Sequence, residues 1–168
     1  MNKLANFIDH LNHLLGRALC WLTLLMVLLT FAIVVLRYVF NWGSIGLQEA
    51  VMYMHALVFM GGSAYALKMD EHVRVDIFYR EMSARKKAWV NLLGTVLFLV
   101  PVCGFLMWAS FAYVERAWDL KETSAEAGGL PFVYILKTYI PLMGALLLLQ
   151  GISVIIKSAQ TIWGSTKA

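Results

Sequence analysis

Four long apolar stretches without any Asp, Glu, Lys or Arg constrain the fold more than any other feature of this sequence. They run from Ala18 to Leu36, Ala50 to Leu67, Ala88 to Val114 and Thr138 to Ile156. A helix needs about 20 such residues to cross the roughly 30 Å hydrocarbon core of a bilayer. Only 14% of the 168 residues are charged, too few to cover a water-soluble domain of this size. The sequence therefore predicts an all-α membrane protein with four transmembrane helices.

The chain is expected to form one membrane domain, residues 1–168, without internal repeats. The predicted spans are 18–37, 47–67, 88–114 and 132–156, with a central loop at 68–87, an outer loop at 115–131 and a tail at 157–168. Proline in a helix interior removes a backbone donor. Kinks are therefore expected at Pro101 and Pro141.

The segment 1–17 precedes the first span and has its own apolar periodicity. Leu4, Ile8, Leu11 and Leu15 recur at helical spacing, and polar residues occupy the other positions. This pattern predicts an amphipathic helix that lies in the membrane interface. A simple cytoplasmic extension of the first span explains the pattern equally well.

The basic residues are unevenly distributed between the two sides of the predicted bundle. One side has Arg37, Arg116 and Lys121, with Lys137 counted inside the fourth span. The other side has ten: Lys3, Arg17, Lys68, Arg74, Arg80, Arg85, Lys86, Lys87, Lys157 and Lys167. Lys and Arg favour the cytoplasmic side, so both termini and the central loop are predicted to be cytoplasmic. The net charge of +4 thus reflects membrane orientation, and no nucleic-acid partner is expected.

Four ionisable residues in or beside the spans are candidate sites, because charge at such depth is costly. Arg37 ends the first span and Glu49 begins the second, so an ion pair across the short turn, or contacts with a partner, are expected. Lys137 lies inside the fourth span, where it either makes an ion pair or extends to the outer surface. His55 is predicted to hydrogen-bond a neighbouring helix. Haem ligation by two histidines is not expected, because a second His within the spans is missing.

Small residues mark two helix faces that another helix can approach closely. The second span contains Gly61, Gly62 and Ala66, and the fourth span contains Gly144 and Gly151. The pattern leaves open whether the neighbouring helix belongs to this chain or to another. We expect no catalytic, cofactor-binding or metal site, because nucleophile–base sets, phosphate loops and clustered metal ligands are missing from the sequence.

Several motifs, taken in order, resemble the small membrane subunit (DctQ-like) of tripartite ATP-independent periplasmic, or TRAP, transporters. In the first half they are Arg37, Glu49, the patch Gly61 to Ala66, and the sequence HVRVD at 72–76. In the second half they are Trp118, Glu122, Ser124, GGLP at 128–131, Lys137, Pro141 and LQG at 149–151. The resemblance covers nearly the whole chain.

This resemblance implies a bacterial inner-membrane importer with three parts. A periplasmic binding protein captures an organic anion, a carboxylate or a sulfonate, and a large membrane subunit carries it inward by a sodium-driven elevator motion. The small subunit packs against the large one and anchors its scaffold without a substrate site of its own. The acidic outer loop 115–131 is either a contact for the binding protein or an ordinary solvated loop.

Two other functions remain as alternatives. One is the membrane anchor of a respiratory complex, which the lone His55 disfavours. The other is a small dimeric exporter built around an intramembrane carboxylate, for which Glu49 is the candidate although it lies near the membrane edge.

Overall fold

The computed structural model describes residues 2–70, 79 and 81–164, and this part of the chain is helical apart from short turns and loops. The helices are α1 (Asn2–Val39), α2 (Ile45–Met69), α3 (Ala84–Gly94), α4 (Val100–Asp119) and α5 (Val133–Gly164), with a π-helical turn (Thr95–Leu99) joining α3 to α4. Within these residues four helices are long and apolar enough to cross a membrane: Lys3–Val39, Ile45–Met69, Ala84–Asp119 and Val133–Gly164. The predicted all-α class with four spans is confirmed. The HVRVD motif at 72–76 and part of the central loop lie outside the described residues.

Helix α1 is unbroken from Asn2 to Val39, so the segment 1–17 does not form a helix of its own. Ala5 and Ile8 in this segment are 1% and 4% exposed. The Ser153 hydroxyl of α5 lies 3.4 Å from the Ala5 carbonyl oxygen, which places the start of α1 against α5. A separate interfacial helix is therefore not supported, and the described residues agree with the alternative, an extension of the first span.

The turn between α1 and α2 is short and closed by local hydrogen bonds. The Trp42 N–H donates to the Leu36 carbonyl at 3.0 Å, and Asn41 has a positive φ of 50°. Ser44 caps α2 because its hydroxyl accepts the Leu47 N–H at 3.4 Å. The turn brings the ends of α1 and α2 to the same depth, as the sequence predicts.

The third span runs longer than predicted, from Ala84 to Asp119, and contains one irregular turn. The π-helical turn at Thr95–Leu99 ends two residues before Pro101. Proline cannot donate to the carbonyl four residues earlier and its ring clashes with that carbonyl, so a wider turn relieves the strain. The helix is thus irregular beside Pro101, and the kink expected there stays a prediction. Pro141, also predicted to perturb its span, lies inside α5.

Helix α5 is the centre of the bundle, since α1, α2, α3, the π turn and α4 all pack against it. Buried Gly144 and Gly151 let the third span approach α5 closely. A Cβ on Gly144 would lie 2.7 Å from Met107 Cγ, and one on Gly151 would lie 3.0 Å from Leu99 Cδ2. The neighbour of this small-residue face, left open by the sequence, is therefore the third span of the same chain.

Candidate functional sites at the two ends of the bundle

The carboxylate of Glu49 holds the outer loop with both of its oxygens. Its Oε2 accepts the Leu130 N–H at 2.6 Å, and its Oε1 accepts a short hydrogen bond from the Ser124 hydroxyl. Within the loop, the Ser124 N–H donates to the Leu130 carbonyl at 3.1 Å. Ser124 and Leu130 are thus bound to each other and to the start of α2. We call this arrangement of Glu49, Ser124 and Leu130 the outer clamp.

The outer clamp occupies the space where a side chain at position 129 would lie, and Gly129 has no side chain. A Cβ at this position would lie 2.8 Å from Glu49 Oε1 and closer still to the Ser124 side chain. Real Cβ atoms do not approach other atoms so closely, so a larger residue would have to displace the carboxylate or the loop. Gly128, its neighbour, has a φ of 82°, a left-handed conformation that glycine adopts without strain.

Lys137 makes the ion pair that the sequence left as one of two possibilities. Its Nζ lies 2.5 Å from Glu122 Oε2 in the outer loop and 4.0 Å from the centre of the Tyr113 ring on α4. The Lys137 side chain is only 14% exposed, so the ion pair is partly shielded from solvent. The contacts tie the start of α5 to the end of α4.

Aromatic contacts reinforce the same end of the third and fourth spans. The Trp118 indole N–H donates to the Thr138 hydroxyl at 2.9 Å, and the Trp118 and Tyr134 rings meet edge to face at 4.7 Å. The Lys121 ammonium lies 4.7 Å from the Trp118 ring centre. Aromatic rings with a polar edge are typical of the membrane–water boundary.

Arg37 does not share the outer clamp. It is exposed and lines an open cavity of about 640 Å³ beside the α1–α2 turn, together with Asn41, Ser44 and Gln48. Among the described residues, Arg37 forms no ion pair with Glu49, whose carboxylate is occupied by the outer loop. The two charges lie near each other in sequence, yet the partners of Glu49 come from the opposite half of the chain.

His55 is exposed on the surface of α2, in an apolar groove shared with α1. The sequence predicts a hydrogen bond from this imidazole to a neighbouring helix. Within the described part of the chain no group offers one. His55, like Arg37, is a sequence-predicted site residue that is exposed on the described part of the bundle.

A buried polar cluster joins α1 to α5 at the other end of the bundle. Asn12 donates to the Gln150 side-chain oxygen at 2.7 Å, and the Gln150 amide donates to Asp9 at 3.1 Å. Asp9 also accepts the Ser153 hydroxyl at 2.7 Å and forms an ion pair with Lys157. We call these five residues the inner polar cluster. Gln150 therefore makes interhelical hydrogen bonds, as uncharged polar residues in membrane helices commonly do.

The small residues of α2 are unequally covered within this chain. Gly61 and Ala64 are buried, whereas Gly62 and Ala66 are only half-buried. A Cβ on Gly61 would lie 3.3 Å from Leu19 of α1, but one on Gly62 would lie 4.0 Å away. The face centred on Gly61 is thus the one that α1 covers.

Sequence reasoning missed several residues that these sites depend on. Contacts among Asp9, Asn12, Ser153 and Lys157 were not predicted. Outside the two sites, the close packing of Gly16 was also not predicted: an added Cβ there would lie 2.5 Å from the Tyr65 ring. One signal was present: Asn12, Gln150 and Ser153 are uncharged polar residues in otherwise apolar helices, and such residues bind one another across helix interfaces.

Four apolar helices whose ion pairs lie towards their ends define a multi-pass integral membrane protein. The sequence model of the DctQ component of tripartite ATP-independent periplasmic transporters matches residues 26–161. The chain belongs to this family, the small permease subunits of TRAP transporters. It is therefore a multi-pass protein of the inner membrane with a role in transport. Subunits of this family work with a large permease and a substrate-binding protein.

The chain is also similar to the C4-dicarboxylate TRAP transporter small permease protein DctQ of Vibrio cholerae serotype O1 (strain ATCC 39315 / El Tor Inaba N16961). The two sequences are 30% identical over 98 residues, which cover 55% of this chain and 42% of the relative. The match thus spans less than half of the relative's length. No solved structure matches the chain.

Proposed function

We propose that this protein is the small permease subunit of a sodium-driven importer of organic anions, and that it stabilises the scaffold of the large permease without binding substrate. The family supports the transport role. The name of the Vibrio cholerae relative includes C4-dicarboxylate, which belongs to the proposed substrate class of carboxylates and sulfonates.

The distribution of polar groups is the observation that carries the supporting role. Transporters bind substrates and coupling ions through polar groups near the middle of the membrane, at helices that are interrupted there. Inside the four apolar stretches 18–36, 50–67, 88–114 and 138–156, His55 is the only Asp, Glu, Lys, Arg or His, and it faces outward. The outer clamp and the inner polar cluster instead join helices to one another.

Rigidity is what such a subunit contributes to an elevator transporter. A domain that moves across the membrane needs a second body that stays still. The outer clamp fixes the outer loop to α2, the Lys137–Glu122 pair fixes it to α5, and the inner polar cluster fixes α1 to α5. These contacts support a bundle that adds a stiff membrane footprint to the large permease.

We further propose that both termini and the central loop are cytoplasmic and that the outer loop faces the periplasm. The ten-to-three distribution of Lys and Arg supports this orientation. Exposed Glu115, Asp119 and Glu126 then face the periplasmic binding protein. Because the clamp holds the loop in one shape, little conformational entropy is lost on docking.

Reconstitution into liposomes tests the proposed function. The chain, its large permease and its binding protein are inserted together, and uptake of C4-dicarboxylates, other carboxylates and sulfonates is measured on an imposed sodium gradient. Uptake is expected with all three components and is expected to be lost when the small subunit or the gradient is omitted. The proposal is contradicted if this chain alone accumulates any of these anions. It is also contradicted if uptake is unchanged when this chain is left out of the liposomes.

A further inference from the structure

The membrane-embedded parts of α1 and α2 leave a groove of about 470 Å³ on the outside of the bundle. On α1, Met26, Thr30 and Val34 follow one another at intervals of four residues and form one wall. On α2, Val51 and His55 have the same spacing and form the other wall. Two parallel helical ridges with a channel between them are the shape into which a third helix packs.

His55 makes this groove unsuited to lipid. Helix α2 begins at Ile45, and at 1.5 Å per residue His55 lies roughly 15 Å along it, near the middle of a bilayer about 30 Å thick. A neutral imidazole has one N–H donor and one acceptor nitrogen. The nearby Thr30 hydroxyl donates to the Met26 carbonyl at 2.8 Å, so its proton is not available to the acceptor nitrogen of the imidazole. Lipid tails offer no hydrogen-bonding group, so a lipid-facing His55 leaves both nitrogens unsatisfied.

A second copy of this chain also carries helices of suitable shape, and the cross-linking described below distinguishes it from another subunit. A single convex helix fills the groove and brings a side chain to His55. The large permease of the family supplies transmembrane helices of this kind.

We propose that a transmembrane helix of the large permease lies in the α1–α2 groove and presents a hydrogen-bonding side chain to His55. This inference rests on the proposed function, because it assumes that the chain assembles with a large permease. It adds which face of the small subunit is covered and which side chain makes the polar contact. A polar side chain inside the membrane marks such a functional contact, because exposing it to lipid costs free energy.

Site-specific photo-cross-linking tests which face is covered. A photoreactive benzoyl-phenylalanine replaces Phe31 in the groove or, as a matched control, Phe105 on α4. The two positions carry the same residue and are 68% and 65% exposed. Each variant is expressed with the large permease and irradiated in membranes. The expected result is a cross-link from position 31 to the large permease that is at least about ten times stronger than from position 105.

Substitutions of His55 test the polar contact. His55→Leu keeps an apolar volume but removes the hydrogen bond, whereas His55→Asn keeps a donor and an acceptor. Interhelical hydrogen bonds in membranes have modest strength, so His55→Leu is expected to weaken the complex about three- to ten-fold. His55→Asn is expected to recover most of this loss. Equal complex yields for wild type, His55→Leu and His55→Asn overturn the polar contact.

The outcomes separate this inference from the proposed function. If the wild-type chain purifies with the large permease but position 31 cross-links only to lipid or to a second copy, the inference is wrong and the proposed function stands. Equal cross-linking from positions 31 and 105 also overturns the inference. If the wild-type chain does not purify with the large permease at all, the proposed function itself fails.

Discussion

Glu49 accepts the backbone N–H of Leu130 at 2.6 Å, although 81 positions of sequence separate the two residues. Glu49 lies in the second turn of α2, and Leu130 lies three residues before α5 begins. The contact therefore fixes the outer ends of the second and fourth spans relative to each other. Charge-assisted hydrogen bonds to backbone N–H groups are among the stronger polar contacts in proteins.

Glu49→Gln should loosen the outer loop. The amide keeps one acceptor oxygen but loses the charge that strengthens both hydrogen bonds of the clamp. The expected loss is about 1–2 kcal/mol of unfolding free energy. It is measured by thermal unfolding in detergent and by the rate at which protease cuts the outer loop. Glu115→Gln is the control, since Glu115 is exposed on α4 and is not part of the outer clamp. Equal protease rates for the two variants contradict the role of the clamp.

Gly129→Ala should open the same clamp by a steric route. The new methyl group would lie 2.8 Å from Glu49 Oε1, so the carboxylate and Ser124 have to move apart. Gly104→Ala is the control, because a Cβ there meets nothing within 4 Å and alanine favours the helix. Thermal unfolding should therefore show a lower melting temperature for Gly129→Ala and an equal or higher one for Gly104→Ala. The opposite order shows that the loop accommodates the methyl group.

Neutralising Arg37 and Glu49 should have independent effects. The sequence predicts either a mutual ion pair or contacts with a partner, but Glu49 is held by Ser124 and Leu130, and Arg37 lines a separate cavity. The free-energy losses of Arg37→Gln and Glu49→Gln should then add in the double variant to within about 0.5 kcal/mol. Unfolding of the two single variants and the double variant provides the measurement. A double variant that is clearly less damaged than the sum restores the ion-pair interpretation.

Asp9→Leu should separate the start of α1 from α5. It leaves the Ser153 hydroxyl, the Gln150 amide and the Lys157 charge without their acceptor, at an expected cost of about 2–4 kcal/mol. Asp9→Asn keeps one acceptor oxygen, which both Ser153 and Gln150 can use as they use Oδ1 of Asp9, so its cost should be smaller, about 1 kcal/mol. Thermal unfolding of both variants is compared with that of Asp119→Leu at the exposed end of α4. If Asp9→Leu lowers the unfolding free energy no more than Asp119→Leu does, the inner polar cluster does not hold α1 against α5.

Labelling of single cysteines should establish the orientation. In a background without Cys20 and Cys103, cysteines at Gly43 and Ala125 are expected to react with an impermeant thiol reagent in intact spheroplasts. A cysteine at Ser83 should react only after the membrane is opened. All three positions are exposed, so accessibility depends on the side of the membrane. Reaction at Ser83 alone in intact spheroplasts inverts the proposed orientation.

The number and order of the spans were predictable because hydropathy is a local property. Runs of 18 or more apolar residues identify membrane helices wherever their partners lie. Helix ends were less predictable, because a helix can continue past its apolar stretch into water. The end of the apolar stretch then does not mark the end of the helix. The third span thus runs to Asp119, five residues beyond its last apolar stretch at Val114.

The partners of the polar residues were not predictable, because they are distant in sequence. Arg37 is near Glu49 in sequence and was the obvious candidate, yet Ser124 and Leu130 hold the carboxylate. Gly61 and Gly62 illustrate the same difficulty for packing. Both are small, and only the position of Leu19 on α1 decides which of them is covered.

The central position of α5 also determines when the bundle can form. Chains are synthesised from the N-terminus, and membrane helices insert before they pack against one another. In the described part of the chain, the third span has its extensive contacts with α5 and not with α1 or α2. The third span therefore enters the membrane with little protein surface beside it. It acquires its place only when α5, which leaves the ribosome after it, brings Gly144 and Gly151 against it.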